Sequence, residues 1–509
     1  MLVNCVVPGL IALAIAALAT PIALRIALAV GLVDSPDGFR KLHGRTVALG
    51  GGVAVMFATA LTGAIALALR LPWAVALWNQ PLVLIGAASG AALICLIGLC
   101  DDWLPLRGRQ KLLGQIAAAA VAVAGGVVIQ KLDLFGLEIQ LGLLAVPFTL
   151  FWLLGAVNAL NLIDGVDGLA TSVGILQSIA ICVMAAMLGN TGEAAAAAMI
   201  AGALLGFLPY NWSPARIFLG DAGSMFIGFS LGILAIRGSF KGPATVALIA
   251  PTAIWAIPIF DVGIAILRRK LTGQSMYATD RGHLHHVLQR YGLGHIGTVL
   301  VIAAMCLICG VGALASVFLK SEAMAIIVCG SVMSLLVLSR SFGHSECGLL
   351  WRRFRSFLAS CWRLPHLPAG NEPHTSRFHG NREFDQAWES LIVFAERFDL
   401  SELNFNVNAP MLGEVFHASW QRRTPGPLGR HWETEIPLAW GRFEVGRLKV
   451  SGVVPDDTSP FLWASDVLQS LKPFETQVLD ILESSPDAEQ EQPILTRSNS
   501  DSELASSGI

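Results

Sequence analysis

Charge is scarce in this chain. Lys, Arg, Asp and Glu make up 14% of its 509 residues, where a soluble globular protein carries about a quarter. With 54% hydrophobic residues and a mean hydropathy of +0.64, that scarcity excludes an ordinary soluble domain and makes a multi-span membrane protein the default reading. Neither sign is in surplus. A formal net charge of −2 speaks neither for nor against nucleic acid, and no nucleic-acid partner is expected. Zinc-type cysteine spacing is also missing. Of nine cysteines, Cys306 and Cys309 form one CxxC inside an apolar run with no second pair, so all nine are read as ordinary thiols. The first apolar run lacks a basic start and is too long for a signal-peptide core, which makes it a retained anchor. No internal repeat is visible.

Long apolar runs fill the first 340 residues. At about 20 residues per span, eleven spans are expected, near 5–29, 50–69, 81–100, 113–130, 141–160, 170–188, 194–208, 222–236, 244–267, 296–319 and 323–339. The run containing Pro251 and Pro258 suits a broken helix. One set of connecting loops carries twelve basic residues, among them Arg40, Lys41, Arg107, Lys111, Arg268, Arg269 and Arg290, against five in the alternate set. The excess puts the first set in the cytoplasm together with everything after Arg340. The fold expected is an all-α polytopic membrane protein of about eleven transmembrane helices, with a C-terminal cytoplasmic α+β domain and a disordered tail.

Residues 1–340 form the membrane domain in this reading and 341–372 a basic amphipathic linker. Within that linker, arginines alternate with Trp351, Phe354, Phe357 and Trp362, which suits either an interfacial helix on an anionic leaflet or a stop-transfer flank. Residues 373–482 read as an α+β domain. Leu403, Phe405 and Val407 alternate as in a strand, and Gly441-Arg442 between two apolar stretches marks a hairpin turn. The stretch IPLAWGRFEVGRLKVSG and its following helix resemble the end of a GAF-type sensory domain, which implies regulation. Residues 483–509 are too polar to build a core.

The polar residues that remain fall into four clusters on one topological side. In NALNLIDGVDGL, Asn158, Asn161, Asp164 and Asp167 recur at three-residue intervals beside Gly165 and Gly168. A second cluster holds Asp101 and Asp102, followed by Arg107, Arg109, Lys111 and Gln115. In the third, Asp221 enters the glycine-rich turn of FLGDAGS. The fourth is Asp280-Arg-Gly-His283-Leu-His285-His286, preceded by Asp261, Arg268 and Arg269. Two carboxylates about 4 Å apart repel by ~4 kcal/mol at an effective dielectric near 20, so several gathered at one membrane surface call for a cation. Oxygen donors suit Mg2+, or Mn2+, sharing its coordination with substrate phosphates. Lys, Arg and His would balance phosphate charge, and the amides of residues 220–224 could cradle an oxyanion. The chemistry indicated is phosphoryl transfer.

Taken together and in order, GLVDSPDGFRKLHGRTVALGGG, GLCDDWLPLRGRQKLLGQ, NALNLIDGVDGL, FLGDAGS and the PIFD…RR…DRGHLHH series resemble the polyprenyl-phosphate N-acetylhexosamine-1-phosphate transferases over residues 31–340. The resemblance implies transfer of a sugar-1-phosphate from a UDP-sugar to undecaprenyl phosphate, with release of UMP and a need for Mg2+. It implies Asp221, Asp101 and Asp164 as metal positions, and Asp101, Asp102, Asn161, Asp164, His283, His285 and His286 as catalytic positions. Lys41, Lys111, Asp167, Arg268 and Arg269 fall at substrate-binding positions, with Asp167 toward the nucleotide. His283-Leu-His285-His286 is similar to the UDP-GlcNAc branch, whereas three consecutive histidines mark the UDP-MurNAc-pentapeptide branch. HGRTVALGGG departs from the family's Pro-rich approach to the glycine pair. A bacterial inner-membrane enzyme with its site on the cytoplasmic face is implied, and a homodimer is compatible with it. Phospho-N-acetylmuramoyl-pentapeptide transfer is the neighbouring alternative. A lipid or solute transporter using the aspartates as ion sites is the alternative from another class.

Overall fold

The computed structural model describes residues 2–34, 46–242, 245–247, 249–272, 282–361, 374–379, 383–409, 414–422, 430–440, 443–454 and 459–483. Lys41, His43, Asp280, Arg281 and the polar tail beyond residue 483 lie outside them. The chain divides into two compact units, one of residues 1–35, 44–265 and 283–342, the other of residues 36–43, 266–282 and 343–509.

The first unit is helical. Among the described residues, seven helices are long and apolar enough to cross a membrane: α1 (Leu2–Val30), α2 (Gly51–Ala68), α4 (Pro81–Trp103), α6 (Ala145–Ile163), α7 (Leu169–Met187), α8 (Thr191–Asn211) and α13 (His295–Phe318). A short α3 (Pro72–Trp78) precedes α4. The protein is thus a multi-pass membrane protein. The other expected spans fall on shorter or more polar helices: α5 (Gly108–Ala124), α9 (Gly220–Gly238) with Asp221 and Arg237 at its ends, and α14 (Glu322–Leu338). The run around Pro251 and Pro258 is broken, with α10 (Ile249–Ile254) ending before Trp255 and α11 (Ala256–Thr272) starting after it. A four-stranded sheet absent from the expectations joins the ends of α5, α6 and α9 remote from the aspartates. Its order is β4 (Leu137–Gln140), β3 (Lys131–Leu134), β6 (Thr245–Ala247), β5 (Phe240–Gly242). A two-residue pairing of β1 (Val33–Asp34) with β2 (Val47–Ala48) precedes α2. Cys306 and Cys309 are buried in α13, as ordinary apolar residues.

Helix α9 is the axis of this unit. It is buried on nearly every side and packs on α2, α4, α6, α7 and α8. A helix apolar all round belongs in an interior, and small residues let its neighbours come close. A Cβ on Gly52 of α2 would stand 2.1 Å from the Cα of Gly223, and one on Gly98 of α4 would stand 2.5 Å from the Cα of Ala222. The amino end of α9 is thereby fixed against α2 and α4. Two hydrogen bonds strengthen the contact, from the Gly51 amide to the Phe218 carbonyl at 3.0 Å and from Gly52 to Leu219 at 2.9 Å.

In the second unit, α15 (His344–Cys361) is followed by β7 (His374–His379), α16 (Glu383–Arg397), β8 (Leu400–Ala409), β9 (Glu414–Gln421), β10 (Arg430–Trp440) and β11 (Phe443–Val454). Helices α17 (Pro460–Ser470) and α18 (Lys472–Glu483) close it. The strands form an antiparallel sheet ordered β10-β11-β8-β9-β7. Leu403, Phe405 and Val407 all point into its core, where Trp388, Phe416, Val467 and Phe474 pack on them, as the alternation predicts. Trp440 pairs with Phe443 across the expected hairpin.

Candidate active site

The site is built at the ends of α4, α6 and α9 and the start of α5. Gly220 has φ +73 and opens α9 where a Cβ would lie 2.5 Å from a carboxylate oxygen of Asp102, so the close approach and the left-handed backbone both need glycine. Asp102 accepts the amides of Asp221 at 2.8 Å and Ala222 at 3.1 Å. The first amides of a helix have no partner within it, and here a carboxylate from another helix satisfies them. Asp102 thus occupies two of the amides of residues 220–224 that the sequence offers as an oxyanion cradle.

Lys111, one turn into α5, joins two of the other carboxylates. Its ammonium lies 2.9 Å from Asp101 Oδ2 and 2.7 Å from Asp221 Oδ2, with side chains 19%, 10% and 30% exposed respectively. The Leu106 amide holds the second oxygen of Asp101 at 2.7 Å. From α6, the Asn161 amide nitrogen donates to Asp221 Oδ1 and to Ser224 Oγ at 2.9 Å. Asp221 therefore keeps a fixed rotamer between one cation and one amide. Asp164, directly after α6, is partly buried, and its carboxylate has no hydrogen-bond or ion-pair partner among the described residues. Burial, and then the charges of Asp221, Asp102 and Asp167, push its carboxyl well above the usual range. An anionic group without a partner beside two others is a site for a cation or a proton.

Not every member of the three-residue series faces this cluster. Asn158 pairs with Gln115 of α5, at 2.8 and 3.3 Å. Asp167 accepts the amide of Ala215 at 3.0 Å and so anchors the loop between α8 and α9. The expected nucleotide contact of Asp167 would have to use its other oxygen.

The histidine segment opens α12 (Leu284–Arg290). Buried Asp261 of α11 holds it, with one oxygen 3.0 Å from His283 Nδ1 and the other accepting the Leu284 amide at 2.8 Å. In the sequence, Asp261 stands only as a residue preceding the histidine motif. A carboxylate inside an apolar run was the available signal. His285 is buried, stacks on His283 with ring centroids 6.0 Å apart, and meets His286 at 4.2 Å. Its Nε2 faces Gly165, where a Cβ would lie 2.5 Å away, which puts the histidines beside the loop that carries Asp164. Burial, followed by the charges of His286, His283 and Arg290, lowers His285 well below the ordinary histidine value, so its ring is neutral.

The expected substrate ligand Arg268 lies in the second unit, buried, with its Nε 2.6 Å from Glu346 and an Nη 3.0 Å from the Gly282 carbonyl. Both contacts are to protein groups, a carboxylate and a backbone carbonyl. Arg269 is its neighbour on α11. Lys41 lies outside the described residues. Among the described residues, no group of three His, Cys, Asp or Glu side chains is arranged to hold a metal by itself. Mg2+ asks less of a protein, taking one or two carboxylates with waters and substrate phosphates for the rest. Asp164, which lacks a partner, and Asp221 beside it fit that requirement.

Residues 84–239 match glycosyl transferase family 4. A Bacillus subtilis (strain 168) protein described as a probable undecaprenyl-phosphate N-acetylglucosaminyl 1-phosphate transferase is 32% identical over 368 residues, covering 71% of this chain and 98% of that protein. The decaprenyl-phosphate N-acetylglucosaminephosphotransferase of Mycobacterium tuberculosis (strain ATCC 25618 / H37Rv) is 32% identical over 352 residues, 64% of this chain and 85% of that protein. A phospho-N-acetylmuramoyl-pentapeptide-transferase of Desulforamulus reducens is 31% identical over 256 residues, 47% and 73% of the two chains. A bundle of membrane helices that gathers aspartates and a lysine at one end is the frame of a membrane-embedded glycosyl transferase. The chain belongs to glycosyl transferase family 4, among the polyprenyl-phosphate N-acetylhexosamine-1-phosphate transferases.

Proposed function

We propose that this protein transfers N-acetylglucosamine-1-phosphate from UDP-GlcNAc to a polyprenyl phosphate such as undecaprenyl phosphate, in the bacterial inner membrane and on its cytoplasmic face. The observation that carries the reading is the sharing of one ammonium, Lys111, between Asp101 and Asp221, with the partnerless Asp164 beside them. Such a cluster is complete only when phosphate groups and a divalent cation join it. An oxygen of the lipid phosphate bonds to the sugar-bearing phosphorus while the bond from that phosphorus to the UMP oxygen breaks, and UMP leaves. If the lipid phosphate enters as the monoanion, its proton passes to a carboxylate of the cluster that does not hold the cation. Lys111 and Asn161 keep Asp221 in one orientation, and the neutral His285 supports the loop of Asp164. Asp221 and Asp164 would hold Mg2+, which supplies compensation of phosphate charge when bound. The excess of basic residues in the loops that bear these groups supports the cytoplasmic side, and the remaining apolar helices support a count near eleven.

The Bacillus subtilis relative is matched over 98% of its length although more than a quarter of this chain lies outside the match. That supports catalysis by the part of the chain shared with this relative, and residues 373–482 take a regulatory role in this proposal. The test is incorporation of labelled GlcNAc-1-phosphate into undecaprenyl phosphate by the purified full chain, with UDP-GlcNAc, other UDP-HexNAc donors and UDP-MurNAc-pentapeptide run side by side. Mg2+-dependent turnover of UDP-GlcNAc, abolished by EDTA and by Asp221→Asn, is expected. Turnover of another donor alone would overturn the sugar assignment.

A further inference from the structure

Two amides sit one turn behind the cluster that Lys111 and Asn161 form with Asp221. Gln115 of α5 is 1% exposed, and its Nε2 donates to Oδ1 of Asn158 on α6 at 3.3 Å. Asn158 Nδ2 returns a bond to Gln115 Oε1 at 2.8 Å and donates also to the Leu154 carbonyl at 2.8 Å, one turn back on its own helix. The bond to Leu154 fixes the direction of the Asn158 amide, so Gln115 satisfies it only in one register. Lys111 stands four residues before Gln115, and Asn161 three residues after Asn158. Residues three or four apart are neighbours on one helical surface. Along the two antiparallel helices, the amide pair therefore forms the layer next to the one in which Lys111 Nζ meets Asp221 Oδ2 at 2.7 Å and Asn161 reaches Oδ1. An apolar contact between α5 and α6 would tolerate a small slide or rotation. Directional bonds between two amides do not, and polar side chains inside an apolar helix contact set its register.

We infer that Gln115 and Asn158 are positioning residues for the transferase: the bonds between their amides set α5 against α6 so that Lys111 and Asn161 reach the two oxygens of Asp221 at once. Among the described residues neither amide contacts a carboxylate of the site, so both act through their neighbours. Without the pair, α5 is free to shift along α6, and Asp221 loses its fixed place between one cation and one amide. The activity arm of this inference rests on the transferase reading, and the lysine-labelling arm does not.

The test uses the full chain in nanodiscs. Steady-state kinetics for both substrates are joined by reductive methylation of lysine amines, read by mass spectrometry with exposed Lys472 as the internal reference. Gln115→Leu and Asn158→Leu keep similar bulk and remove the bonds. Each should lower kcat by roughly tenfold to fiftyfold, with both KM values within about threefold. In a Lys111→Met background the same changes should cost less than about threefold more, because the group they position is gone. An ammonium held by two carboxylates keeps its proton, so loosening it should raise Lys111 methylation relative to Lys472 by about threefold. Wild-type kcat in both Leu variants, or equal losses with and without Lys111, would assign the pair to packing alone and overturn the inference. If the Leu variants do not fold, Gln115→Asn, which keeps the amide but withdraws it by one methylene, decides in the same two backgrounds. A wild-type chain inactive with every UDP-sugar would remove the transferase reading. The methylation ratio would still decide the positioning role, and an unchanged ratio would overturn it.

Discussion

Asp102 holds the amino end of the helix that carries Asp221, accepting its amide at 2.8 Å and the next amide at 3.1 Å. The cap arrives from α4, which ties the placement of Asp221 to a residue far away in sequence. Removing such a cap costs about 0.5–2 kcal/mol. Asp102→Ala is therefore expected to lose about that much stability, and to lose most activity as Asp221 drifts. Asp102→Asn should recover little, because its amide group would turn a donor toward one of the two N–H groups. Thermal unfolding and initial rates on the same preparations check this. An Asp102→Ala protein as stable as the wild type would remove the capping role.

Lys111 is the one cation that touches both Asp101 and Asp221 among the described residues. Without it, carboxylates at contact distance repel by ~4 kcal/mol at an effective dielectric near 20. Lys111→Met should lower kcat by roughly a hundredfold and shift the Mg2+ requirement upward, since a second cation must take over the compensation. Lys111→Arg should restore little, because a planar guanidinium does not replace a point charge between two oxygens. Initial rates over a Mg2+ series give the answer, and a Lys111→Met enzyme with unchanged Mg2+ dependence would contradict it.

The three-residue spacing of Asn158, Asn161, Asp164 and Asp167 marks a polar helix end correctly but not the separate duties of its members. At about 100° per residue, a step of three falls about 60° short of a full turn. Successive members therefore rotate away from one another, Asn158 toward Gln115 and Asn161 toward Asp221, and the helix stops before Asp164. Local signals read well elsewhere: the prolines break α10 from α11, and alternation buries Leu403, Phe405 and Val407. Pairings between distant segments did not. Nothing in the residues near Arg268 announces Glu346, 78 positions on. Nor do short strands such as β3 and β6 carry enough pattern to announce a parallel pairing across the intervening helices.

Asp164 sets stability against function. Its carboxyl is raised well above the usual range by burial and by Asp221, Asp102 and Asp167. A raised folded value favours the protonated form, so its contribution to stability is complete below the ordinary carboxylate range and is lost as pH rises through the raised value. Asn at this position never ionises. With EDTA present, Asp164→Asn should therefore unfold at a higher temperature than the wild type near pH 8. The gain is roughly 1.4 kcal/mol for each pH unit of separation between the folded and unfolded values, and it should vanish near pH 4. Mg2+ should stabilise the wild type more than the variant, and the variant should be inactive. Thermal unfolding across pH with and without Mg2+ tests all of this, and a variant less stable than the wild type at pH 8 without cation would contradict it.

Gly165 and His285 approach too closely for a side chain at position 165. A methyl group on Gly165 would stand 2.5 Å from Nε2 of the buried His285 ring. Overpacking of this kind costs about 1–3 kcal/mol, so Gly165→Ala should lose that much stability and most activity through displacement of Asp164. Adding His285→Ala should return part of the stability, with a coupling on the order of 0.5–3 kcal/mol, while activity stays low. The same ring gives a pH signature. His285 is lowered well below its ordinary value by burial and by His286, His283 and Arg290, so the folded protein does not take up the proton that the unfolded chain binds below about pH 6.5. Stability contributed by this residue is present above that pH and falls as pH drops through it. His285→Ala should flatten the stability profile between about pH 5 and 6.5, and an unchanged slope there would mean that the ring is already charged in the folded state.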